Sequence, residues 1–278
     1  MSADILQRTT WLDKTIGIYV GELIEYDMRE GGWSIILKDH LLPDYIIRRF
    51  AKMSKEDRHK AIGNLANSYK RQYANVPKDL IERFRHYRIL FGEVNELTDD
   101  DIFYVRKDAI CVKKYCYHTA IDELIEFREK NVWNAYMRIV PQYKEDKQFN
   151  PEPIEFYWKE SGHVDVKGIS DDALAAHEDG MLRVISTFMK HLYNLDYEEA
   201  LKYIVRVMDS YKQGLGEGRN VPHPEYYYRR FNSESKYKII QDGAVMEVDE
   251  IGPSLISHCD KAYNYRNILV PMMNLVTK

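Results

Sequence analysis

Residues 15–37 read TIGIYVGELIEYDMREGGWSIIL. Ile16, Ile18 and Val20 alternate, as the side chains of a half-buried strand do. The alternation slips at Gly21, where a bulge is expected, and apolar residues resume at Leu23, Ile24 and Tyr26. The strand then ends on a carboxylate, Asp27. Gly31-Gly32 punctuates the chain. Residues 33–42, WSIILKDHLL, have helical character until Pro43 breaks them. Taken alone, an acid in this place is a cap or an ion-pair partner.

Further along, Ser54 with Asp57 three residues on resembles a capping box. It predicts a helix from there to about Gln72, after a short one over 44–52. Along the longer helix Lys60, Asn64, Asn67 and Arg71 fall on one face. Residues 45–72 hold eight Lys and Arg against Glu56 and Asp57, a local excess of positive charge in a chain of net charge −4. That stripe, with Arg48 and Arg49 before it, suits phosphate oxygens, and it also suits a solvated amphipathic helix. Pro77 starts another helix through DLIERFRHYRILFGEV. Residues 102–114, IFYVRKDAICVKK, read as a hairpin turning at Arg106-Lys107, with Asp108 opening its second strand.

The second half of the chain predicts strands near 123–128, 132–140, 153–158 and 163–166. Helices follow over 170–193 and 197–212, and a hairpin turns at Asp242-Gly243 before a last helix near 259–276. The order is mixed α+β with an antiparallel hairpin at its centre. YYYRRF, residues 226–231, mixes aromatic rings with cations. Arg229 and Arg230 there can hold a nucleic-acid backbone, or simply be solvated. His177, Glu178 and Asp179 suit the first turn of a helix. The glycines of GLGEG, 214–218, follow a helix rather than a strand, so they make no dinucleotide loop. Walker A, G-x-S-x-G and H-E-x-x-H patterns do not occur.

The 278 residues include three cysteines, Cys111, Cys116 and Cys259, without paired spacing. A disulfide framework and a zinc knuckle are not expected, and a reducing cytosol is the natural compartment. No apolar run approaches the roughly 20 residues of a membrane span, and MSADILQRTTWLDK does not read as a signal peptide.

Two acids at sheet-strand ends, with a cationic helix between them in sequence, are the parts of a two-metal phosphoryl-transfer site. Here the chain resembles the palm and fingers of family B DNA polymerases, over about residues 16–114. LIEYDMREGGWSIIL is similar to the first palm motif, with Asp27 in the metal-binding place. KAIGNLANSY is similar to the fingers motif, with Lys60, Asn64 and Tyr69 the nearest matches. YVRKDAICV is similar to the third motif, in which Asp108 matches the metal-binding second aspartate. Three positions depart from the pattern. Arg106 replaces the first aspartate of the third motif, Ala109 replaces the serine after the second, and no glycine follows Tyr69. The chain is also similar to uncharacterised bacteriophage proteins.

The resemblance implies an α+β fold, a polymerase-like palm with antiparallel sheet and helical fingers over residues 1–150. A thumb-like or interaction region, mixed strands then helices, occupies 151–278. It implies a nucleotidyltransferase of a phage acting in the infected host's cytoplasm, with Mg²⁺ or Mn²⁺ on Asp27 and Asp108. Lys60, Asn64, Tyr69 and Arg71 would contact a nucleoside triphosphate, and Arg48, Arg49, Arg229 and Arg230 nucleic acid. A second expectation is a palm-derived protein without catalysis, serving a phage complex with a protein partner.

Overall fold

The computed structural model describes residues 4–65, 73–140, 153–168, 181–212, 228–231, 236–241, 244–248 and 268–277. Helices and antiparallel strands are mixed, as an α+β chain requires. Two compact units divide the chain, one from residues 1–14 and 22–132, the other from 15–21 and 133–278. The division falls within two long strands, β2 (Ile18–Met28) and β5 (Phe127–Ile139), so each strand contributes to both units.

In the first unit the strand order is β1 (Thr10–Leu12), β3 (Ile102–Arg106), β4 (Ala109–Val112), β2, β5. The pairings β1–β3, β3–β4 and β4–β2 are antiparallel. Gly21, where the sequence pattern slips, has φ +149°, a conformation open to glycine and costly for other residues. Beyond it Leu23, Ile24, Glu25 and Tyr26 are all buried, so alternation no longer separates wet from dry. It still separates two faces. Ile24, Tyr26 and Met28 join a core made with the helices that cover this face, in which Tyr26, Phe91 and Phe127 stack with ring centroids 5.4 and 4.5 Å apart. The Tyr26 hydroxyl accepts from the Cys116 backbone N–H at 3.0 Å.

The helices that cover this face follow the breakers in the sequence. α1 (Gly31–Asp39) begins after Glu30, which holds a left-handed φ of 47°, and ends at His40, also left-handed. α2 (Asp44–Phe50) starts directly after Pro43. α3 (Lys55–Gly63) is capped as expected, with the Asp57 N–H donating to Ser54 Oγ at 3.1 Å. It stops sooner than expected. Asn64 closes it with φ −90° and ψ 2°, outside helical geometry, so the run from Ser54 to Gln72 is not one helix. Gly63-Asn64 is the stop signal that explains this. α4 (Val76–Val94) carries Pro77 in its first turn, as the sequence indicates.

Two expected strand details change. Arg106 pairs with Ala109, so the hairpin turns at Lys107-Asp108, one residue later, and Asp108 is a turn residue rather than the first of β4. Residues 123–128 and 132–140 are not two strands, because β5 runs unbroken from Phe127 to Ile139.

In the second unit β2, β5, β6 (Ile154–Trp158) and β7 (Val164–Lys167) lie in that order. They pack on α5 (Met181–Tyr193), α6 (Tyr197–Lys212) and α7 (Val270–Val276). The spacing read from the sequence shows in α5, where Ile185, Phe188, Met189 and Leu192 are buried. Each such side chain contributes about 1.5–3 kcal/mol on leaving water. β8 (Tyr228–Phe231), β9 (Lys236–Gln241) and β10 (Ala244–Val248) form a small antiparallel sheet in which Gln241 pairs with Ala244, and the expected turn at 242–243 lies outside the described residues. The expected helix starts at 170 and 259, the acids near His177 and the GLGEG loop lie outside the described residues. Among the described residues no helix is long and apolar enough to cross a membrane.

Candidate functional site

Asp27 is the penultimate residue of β2, and its alternation places it on the face opposite Tyr26 and Met28. Its cross-strand partner is Ala109, the first residue of β4. One step further the Met28 N–H donates to the Asp108 carbonyl at 3.3 Å, which ties the hairpin turn to the strand end. Two acids distant in sequence are thereby neighbours. Burial first, and the Asp27 charge second, raise the Asp108 carboxyl above the usual carboxylate range.

The start of α1 closes one side. A Cβ added to Gly31 would lie 3.1 Å from Asp108 Oδ2 and 3.0 Å from the Phe84 ring, so a residue without a side chain lets the carboxylate approach the helix start. There the helix end favours negative charge.

A third charged group completes the arrangement. Lys130, on β5, places Nζ 3.0 Å from Asp27 Oδ2. Burial pulls its ammonium down, but the hydrogen bond and charge of Asp27, with Glu25 and Asp108, hold it above its ordinary value. Glu25, two residues before Asp27 on the same face, is buried and already engaged. Its Oε1 accepts from the Tyr104 hydroxyl at 2.5 Å and its Oε2 from Asn131 Nδ2 at 2.7 Å. Arg106, standing where the resemblance has an acid, lies over the Tyr104 ring at 4.6 Å.

The other expected site residues are placed less tightly. Lys60 is exposed in the last turn of α3, and Asn64 is exposed at its C-cap, so the two do not share one unbroken helical face. Tyr69 and Arg71 lie outside the described residues. The cation that α3 brings to the start of α1 is Arg58. Its Nη2 is 2.6 Å from Glu30 Oε2, and its guanidinium lies 4.9 Å from the Trp33 ring centroid. Arg48 and Arg49 are exposed in the last turn of α2, where the helix end favours positive charge. Arg229 and Arg230 lie in β8, opposite Lys238 and Tyr237.

Sequence reading missed Lys130, Glu25 and Arg58. For Glu25 a signal existed, since it precedes Asp27 by two residues in a strand and must share its face. For Lys130 there was none, because nothing local in β5 says which strand will be its neighbour.

Among the described residues no group of three or more His, Cys, Asp or Glu side chains is arranged to hold a metal ion. Asp27 and Asp108 alone fit magnesium better than zinc or calcium. Mg²⁺ binds through one or two carboxylates, waters and substrate phosphates, whereas structural zinc and calcium sites need fuller protein ligand sets.

The raised Asp108 predicts a pH effect of definite sign. Its folded carboxyl holds a proton more tightly than the ordinary value of 3.8. Between those two values the folded state binds more protons than the unfolded, so stability falls as pH rises through the window. Without divalent ions, Asp108→Asn is expected to be more stable than wild type at pH 7, the difference closing below about pH 3.8. Urea titrations over a pH series read this directly. A constant difference across the series contradicts it.

No curated protein matches the chain. The family described as the bacteriophage PBS1 gene 130 protein has a model that matches residues 1–278, and the chain belongs to that phage family.

Proposed function

We propose that Asp27 and Asp108 form the metal-binding pair of a polymerase-like nucleotidyltransferase, working in the cytoplasm of the infected host. The observation that supports this reading is their adjacency: the order of three short motifs implied it, and β2–β4 pairing brings the two acids together. Mg²⁺ or Mn²⁺, when bound, supplies the charge that clamps attacking and leaving oxygens. Asp27 and Asp108 hold that charge at the strand end and the turn. A nucleic-acid 3′-hydroxyl attacks the α-phosphorus of a nucleoside triphosphate in line, its proton passes to solvent, and pyrophosphate leaves. Lys60, with Asn64, Tyr69 and Arg71, serves the triphosphate. Arg48, Arg49, Arg229 and Arg230 serve the nucleic-acid backbone.

A second reading is a palm-derived nucleic-acid-binding or assembly protein of a phage replication, transcription or virion complex. Lys130 favours it, because an ammonium on Asp27 offsets part of the charge that a metal would otherwise neutralise. Arg106 in place of an acid favours it too. Primer extension with Mg²⁺ or Mn²⁺ separates the two. Extension by wild type that Asp27→Ala and Asp108→Ala each lack supports the enzyme. Equal activity in all three proteins would sink the two-metal mechanism, and binding of primer-template without extension would favour the second reading.

A further inference from the structure

We infer that Lys130 is a built-in counter-cation of the carboxylate pair, displaced from Asp27 by a divalent metal and thereby freed to bind an anionic phosphate group. The inference rests on the metal-binding reading above and names what couples metal to phosphate there. Lys130 Nζ sits at 3.0 Å from Asp27 Oδ2, and Asp108 lies close enough for its carboxylate to act on it. A divalent cation needs that same Asp27 oxygen. Two cations cannot share it without strong repulsion, so one must leave.

Lys130 is built to be the one that leaves. Its side chain is half exposed, 54%, and ends a flexible four-carbon stem, so Nζ can swing out while the β5 backbone stays in register. The other acid on this face, Glu25, is buried and held by Tyr104 and Asn131, so it cannot follow the ammonium outward. The freed ammonium therefore turns to the open side, where phosphate oxygens completing the metal's ligand set would arrive. In the metal-free protein the same contact limits the repulsion between the two carboxylates. A single side chain thus offsets part of the negative charge of the empty site and favours the loaded site being occupied by metal and phosphate together.

Mn²⁺ binding followed by electron paramagnetic resonance, with and without inorganic pyrophosphate, tests this without any need for turnover. Wild type, Lys130→Met, Lys130→Arg and Asp27→Asn are compared. Without pyrophosphate, Lys130→Met is expected to bind Mn²⁺ about fivefold to tenfold more tightly than wild type, while Lys130→Arg, which keeps the charge, stays within about twofold. With Mn²⁺ bound, pyrophosphate is expected to bind Lys130→Met about fivefold more weakly than wild type. Mn²⁺ affinity unchanged or lowered in Lys130→Met overturns the inference, and so does unchanged pyrophosphate affinity. If wild type binds Mn²⁺ and Asp27→Asn does not, either of those results overturns the role of Lys130 alone. If wild type and Asp27→Asn bind Mn²⁺ equally, the metal-binding reading falls and this inference with it.

Discussion

Arg88→Met is expected to lower the stability of the fold by about 3 kcal/mol, read as a shift of the urea midpoint. Arg88 projects from α4 and is completely buried. Its guanidinium gathers the N-terminal segment: Nη2 donates to the Arg8 carbonyl at 2.5 Å and the Leu6 carbonyl at 3.5 Å, and Nη1 to the Thr9 carbonyl at 3.4 Å. Burial lowers its pKa to about 10, with the Asp108 charge opposing the fall, so it remains a cation at neutral pH. Methionine fills much of the volume but donates nothing, leaving buried carbonyls short of partners. Loss of a desolvated charge offsets part of this cost, since the Nε of Arg88 is itself buried without a hydrogen-bond partner.

The effect has a second, local readout. The Thr9 carbonyl that Arg88 holds also accepts the Lys107 N–H at 3.0 Å. Lys107 is the first residue of the turn that carries Asp108. Amide exchange at Lys107 is therefore expected to accelerate in Arg88→Met by more than the global loss of stability explains. A variant with an unchanged midpoint and an unchanged Lys107 rate would show that the guanidinium does not fix this turn.

The largest effect on activity is expected at Asp27. Asp27→Asn keeps the shape of the side chain and removes the charge. If the proposed chemistry operates, the rate of metal-dependent nucleotide addition falls on the order of 10³-fold, the scale of losing one strong electrostatic contact to the transition state. Stability should hardly move. The Asp27–Lys130 bridge has side chains 30% and 54% exposed, and such pairs contribute about 0–1 kcal/mol. Asp108→Asn should lose activity on the same scale while gaining stability, because it removes a buried, like-charged carboxyl. The two substitutions thus agree in activity and differ in stability. Two acids that served only as structural pairs would show no common loss of function.

What the sequence disclosed here followed from local physics. Pro43, Pro77 and Ser54 start helices because each satisfies or removes a backbone donor at a helix end, and that chemistry is written in one residue. The antiparallel pairing of β9 with β10 was legible from the D-G signal between them. Gly63-Asn64 was legible too, but the cationic stripe read across it hid the stop. The hairpin turn slipped by one residue because Arg106-Lys107-Asp108 offers three polar residues and no glycine to fix the position. The meeting of Asp27 with Asp108 came from the order of motifs, not from either acid alone. Lys130 stayed hidden since strand neighbours are set by the whole sheet. Arg58 was overlooked in favour of Lys60 because both are cations of α3, and only packing against Trp33 and Glu30 distinguishes them.

The division of the chain inside β2 has a consequence for biosynthesis. Residues 15–21 leave the ribosome early, yet they belong with segments made much later, and the Gly17 carbonyl must wait for the Arg138 N–H that will donate to it. Until then a short apolar stretch is an orphan, available to chaperones or to wrong neighbours. A gene cut after Val132 would carry that orphan permanently, and one begun at Trp133 would lack it. Neither half is a contiguous fragment that can be expressed with all of its own residues and no others. Separating them cleanly calls for circular permutation or for a transplanted copy of residues 15–21, rather than for a stop codon.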